Sequence, residues 1–150
     1  MKTIRLAFLI LISCISFDCK KDTVAPDYSN IADPFSRWKA HGFNNYTIEQ
    51  RRICFCLNGG EPVRVIVKDG QVINAVKISD GTSLSPSERI WYKTVDQLFE
   101  VINKINIDSV AVFRVEYEAR YGYPVNFYVD PDSMMADEEY GYENSFLIPN

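Results

Sequence analysis

Histidine is nearly absent: His41 is the only one in 150 residues. Lying at the end of an expected helix, it reads as a surface or capping group rather than a general base. The chain has no Gly-x-Ser-x-Gly elbow and no glycine-rich phosphate loop, so the usual signatures of hydrolases and nucleotide binders are missing. Clustered Lys and Arg are missing too. With a net charge of -4 and a pI near 5.0, nothing in the sequence provides the basic footprint that phosphate backbones require, and no nucleic acid is expected as a partner. There is no internal repeat, and the length allows one domain rather than two independent cores. What the chain does have is apolar side chains, 47% of residues, with 13% aromatic, enough to bury a core.

The start of the chain is specialised. Met1 to Arg5 is basic, and Leu6 to Ile12 is apolar but too short to span a hydrocarbon layer of roughly 30 Å. Residues 1–13 are therefore expected to be a signal peptide. Leu11-Ile12-Ser13-Cys14 resembles the lipobox of bacterial lipoproteins, in which a small residue precedes the acylated cysteine, so Cys14 is the expected lipidation site. Cys19 is the alternative, disfavoured by Asp18 before it. Residues 14–30 read as a polar tether and 31–150 as the folded domain. This reading places the protein in a bacterial cell envelope, lipid-anchored, facing the periplasm or the cell surface. The membrane and an envelope protein are its expected partners, and the chain is expected to be a monomer. The remaining thiols then lie outside the reducing cytosol.

Within the domain, Asp33-Pro34 is a helix start, Phe35 and Trp38 share a face, and Gly42 supplies a left-handed end. Tyr46 to Leu57 reads as a strand with Tyr46, Ile48, Cys54 and Cys56 on one side. Pro62 to Lys68 and the segment after Asp69-Gly70 form a hairpin, since that dipeptide readily takes positive φ at both turn positions. Counting from the turn opposes Lys68 with Gln71, Val67 with Val72, and Val63 with Val76. Ser79 to Lys93 reads as an irregular loop. Thr94 and Gln97 make a capping box for the main amphipathic helix, with Val95, Leu98, Phe99, Ile102 and Ile105 at helical spacing. Three strands follow: Val110 to Tyr117, Val125 to Asp130, and about Tyr140 to Leu147. The expected fold is α+β: a single antiparallel sheet of about six strands in β3-α-β3 order, one main helix packed on it and a short N-terminal helix.

These residues together resemble the uncharacterised secreted bacterial proteins grouped as number 6174 among domains of unknown function. The carriers are Trp38 ahead of Asn45-Tyr46, Cys54-Phe55-Cys56, Pro62 to Val65 through Val67 to Gly70, Thr94 to Phe99, Val115-Glu116-Tyr117, Tyr121 to Pro124, and Asp137-Glu138-Glu139. The resemblance implies an exported α+β domain and supplies no catalytic residue.

Three groups are candidates for function. Cys54 and Cys56 point to one face of a strand. Their Cβ atoms would then stand about 6.5 Å apart, beyond the roughly 3.5–4.5 Å a disulfide needs, so a disulfide between them requires a bulge. Buried thiols, a bulged disulfide, and thiol redox or metal chemistry all stay open. Asp130, Asp132, Asp137, Glu138 and Glu139 offer carboxylates without the spacing of a calcium loop. Tyr121, Tyr123, Tyr128, Tyr140 and Tyr142 form either a binding surface or ordinary strand packing. No catalytic residue, cofactor or metal is expected. The reading is a non-catalytic binding domain on a lipid tether, with thiol chemistry at Cys54 and Cys56 as the alternative.

Overall fold

The computed structural model describes residues 26–150. The signal segment, Cys14, Cys19 and the tether before residue 26 lie outside the described residues. The order of elements is α1 (Pro34–His41), β1 (Tyr46–Ile53), β2 (Pro62–Lys68), β3 (Gln71–Lys77), α2 (Pro86–Arg89), α3 (Val95–Lys104), a 3-10 turn (Ile107–Ser109), β4 (Val112–Tyr117), β5 (Pro124–Asp130) and β6 (Tyr140–Pro149). The domain is α+β and mostly sheet. All six strands form one antiparallel sheet in the order β3-β2-β1-β6-β5-β4. Each half is a meander of neighbours in sequence, and the first and last strands join the halves.

Local chemistry accounts for the elements. The Asp33 carboxylate accepts the Ser36 amide at 2.7 Å, and Gly42 closes α1 at φ 63°. Thr94 and Gln97 form the reciprocal capping box at the start of α3. Asp69 and Gly70 both have positive φ, 50° and 70°, as a two-residue hairpin turn requires.

The hairpin register departs from the simple count. Lys68 opposes Gln71 and Val67 opposes Val72, but Ile66 opposes Asn74 and Val63 opposes Lys77, not Val76. Ile73 is an extra residue on β3, a β-bulge. Without it Val65 would face the Asn74 amide across the buried side. With it Ala75, fully buried, takes that position. A second irregularity sets Phe146 and Leu147 of β6 against Ile48 of β1; Phe146 has φ 49° and is 72% exposed, while Leu147 is buried.

One face of the sheet carries the core. Ile48, Val63, Val65, Val67 and Ala75 pack with Trp38, Val95 and Phe99, while Leu98 and Ile102 pack with Phe127, Val129 and Tyr142. Helix α3 therefore spans both halves, and each buried aliphatic side chain contributes about 1.5–3 kcal/mol. Contrary to expectation, the stretch before α3 is not all loop. It contains α2, capped by Ser85 and Glu88, and it buries Leu84 and Tyr92. Segment 91–95 then runs back across β6 and along β1: Tyr142 Oη donates to Trp91 O (2.6 Å), Lys93 N to Gln50 Oε1 (2.9 Å) and Val95 N to Tyr46 Oη (2.8 Å).

Candidate functional site

Strand β1 ends at Ile53, earlier than its apolar run suggests, and residues 54–60 bend and turn. The cause lies in Asn58, Gly59 and Gly60. Asn58 and Gly60 take positive φ, 58° and 75°. Gly59 packs so close to the Cys54 carbonyl that a Cβ there would collide with it. Gly59 N donates to Cys56 O at 2.9 Å and Gly60 N to Arg52 O at 2.8 Å. Asn58 Nδ2 ties the loop to Glu88 of α2 at 3.0 Å. Hydrogen bonds from Ser85 and Asn58 hold the Glu88 carboxyl down at about 2.

Cys54 and Cys56 are therefore not on a regular strand. Their Cα atoms stand 5.3 Å apart and their sulfurs are joined as a disulfide. Phe55 and Leu57 on this loop point outward, 82% and 74% exposed. Cys56 is exposed, whereas Cys54 is partly buried. Beside Cys56 lies a hollow of about 580 Å³ walled by Arg52, Leu57, Asn58, Glu88 and Trp91. The Arg52 guanidinium sits 5.3 Å from the Trp91 ring centre, a cation–π contact, and Trp91 is itself 53% exposed. Lys93, half-buried nearby, has its ammonium pKa lowered by burial and then by repulsion from Arg52.

The loop between β5 and β6 leaves the sheet at the same end, because Gly141 pairs with both Ile53 and Tyr128. Asp137, Glu139 and Tyr128 wall a smaller hollow of about 290 Å³ against Ile53, Cys54 and Phe55. Met134 and Met135 on this loop are exposed, the first at 89%. The cysteine loop and the acidic loop thus form one end of the molecule.

Other expected candidates are placed elsewhere. The five tyrosines do not converge: Tyr121 and Tyr123 lie at the opposite end, and Tyr123 and Tyr142 are core residues. His41 stacks on Phe43 and its Nε2 lies 3.2 Å from Arg120 O. Among the described residues no three His, Cys, Asp or Glu side chains converge as metal ligands, and no helix is long and apolar enough to cross a membrane. The open sheet face is charged, with Arg64 Nη2 3.1 Å from Glu49 and Arg51 paired to Glu143, around a shallow hollow of about 480 Å³. Arg52, Leu57 and Trp91 could not be named from sequence, since only tertiary packing brings the end of the 79–93 stretch to the cysteine loop.

The sequence model of a family of unknown function, DUF6174, matches residues 30–149. The chain belongs to that family. The DUF6174 region takes in α1 and every strand, and with them both loops of the candidate site. No curated protein and no solved structure matches the chain.

Proposed function

We propose that this DUF6174 protein is an exported bacterial lipoprotein, acylated at Cys14, whose domain is a non-catalytic binding module for a protein of the cell envelope. The contact surface in this reading is the end formed by residues 54–61 and 131–139. One observation carries it: Phe55 and Leu57 are largely exposed on a loop whose backbone is held by hydrogen bonds, with exposed Trp91 and Met134 on neighbouring segments. Exposed apolar groups beside Trp and Arg are the composition of protein-binding hot spots, and a preformed loop loses little entropy on binding. The open sheet face fits less well, because it presents charged rather than apolar side chains around its hollow.

The test is a photo-cross-linking residue placed at Phe55 or, for comparison, at Arg64 on the open face, in protein carried in its native membrane. A discrete protein adduct from position 55 and none from position 64 is expected; the opposite pattern, or none from either, overturns the binding site. Intact mass of protein from membranes tests the anchor. A lipid adduct that Cys14→Ala abolishes is expected, and unchanged acylation of that variant moves the anchor to Cys19.

A further inference from the structure

We propose that, beyond this binding role, the Cys54–Cys56 bond is an exchangeable disulfide that stoichiometrically oxidises thiols of polypeptides, with Cys56 as the sulfur attacked. The bond has little to do for stability. A disulfide constrains the unfolded chain more as the loop it closes lengthens, and here the sequence separation is only 2. The loop is already held without it, by the bonds from Gly59 and Gly60 and by Asn58 on Glu88.

The two sulfurs differ in access and in the charges around them. Cys56 is exposed and borders the larger hollow with Arg52, whereas Cys54 is partly buried and borders the smaller one with Asp137 and Glu139. An incoming thiolate is drawn toward the guanidinium and repelled by the carboxylates. Glu88 also lines the Cys56 hollow and stays a carboxylate, so that side sets one cation against one anion, whereas the Cys54 side has two carboxylates and no cation. Leu57 and Trp91 give that hollow an apolar wall, which suits the side chain next to a cysteine in an unfolded or extended polypeptide.

A substrate thiolate attacks Cys56 Sγ, the Cys54–Cys56 bond breaks, and Cys54 leaves as a thiolate that takes up a proton. A second thiolate of the same substrate then attacks its own sulfur in the mixed disulfide and releases Cys56. The substrate loses two electrons and two protons and becomes a disulfide, and the protein gains them as two thiols.

The probe is a reduced peptide with two cysteines flanked by leucines, mixed with the folded, full mature protein, then quenched in acid, alkylated and weighed. Oxidised peptide together with two alkylated protein thiols, with the circular dichroism unchanged, is expected. The direction of attack is read with the same peptide in its disulfide form: Cys54→Ser should form a mixed disulfide roughly tenfold or more faster than Cys56→Ser, and Arg52→Gln should slow the Cys54→Ser variant. A wild-type bond that resists the reduced peptide until the protein is unfolded overturns exchange, and that result does not depend on either variant folding. Equal rates for the two serine variants overturn the assignment to Cys56.

Discussion

Gln50 and Asn144, on the two central strands, meet beneath the helices: Gln50 Nε2 donates to Asn144 Oδ1 at 2.8 Å, with the residues 1% and 5% exposed. The contact extends both ways, since Lys93 N donates to Gln50 Oε1 and Asn144 Nδ2 donates to Pro124 O. Two buried amides thus tie β1, β6, β5 and the approach to α3 together. Gln50→Leu strands the Lys93 amide and one lone pair of Asn144, and should cost about 1–3 kcal/mol, with Asn144→Leu similar. In urea unfolding, the double variant should cost clearly less than the sum of the two. Strict additivity would show that the amides act independently.

Tyr46 caps a helix from a strand. Its hydroxyl accepts the Val95 amide at the first turn of α3. Tyr46→Phe should therefore cost about 1–2 kcal/mol at neutral pH. Burial opposes the phenolate, so the folded pKa lies well above the ordinary 10.0. With the folded value raised, the native state holds the proton longer than the unfolded chain. The contribution is complete below the unfolded value and is lost as pH climbs through the folded one, so stability falls above about pH 10. Tyr123 and Tyr142, raised chiefly by burial as well, add to the effect. Unfolding curves from about pH 9 to 11 should fall less steeply for Tyr46→Phe than for wild type; identical slopes would count against a buried phenol there.

Gly122 sits at φ 83° against the Pro34 carbonyl of α1, where a Cβ would collide. Gly122→Ala must both strain the backbone and push α1 away. A loss of about 1–3 kcal/mol from the backbone alone is expected, with weakened protection of the α1 amides in hydrogen exchange. A neutral result would mean that α1 and the β4–β5 loop separate freely.

Phe146 is an exposed aromatic in the left-handed region. Glycine adopts that conformation without the Cβ penalty, and little buried area is lost. Phe146→Gly should leave the protein as stable or raise its stability by about 1 kcal/mol. Destabilisation by a similar amount in thermal melts would show that the ring makes contacts worth more than the strain.

Much of the fold was legible because its signals are local. Asp33-Pro34, the Thr94–Gln97 box and Asp69-Gly70 each act through hydrogen bonds or φ preferences within four residues, and the structure has all three. The structure departs from simple alternation at two places, one set by burial against a neighbouring strand and one by turn residues just beyond the strand. The bulge at Ile73 follows from the need to bury Ala75 instead of Asn74 opposite Val65. The early end of β1 follows from glycines and an asparagine that fold the chain back over Cys54 and Cys56.

By itself the sequence determined the α+β class, the antiparallel pairing of neighbouring strands and the helix that covers them, since period, caps and turns are properties of short segments. Only the tertiary structure decided that β1 lies beside β6, and that Arg52 and Trp91 stand next to Cys56. Those are meetings of residues far apart in the chain. No local preference encodes them, and they arise when the two halves of the sheet close under α3 to bury their shared apolar face.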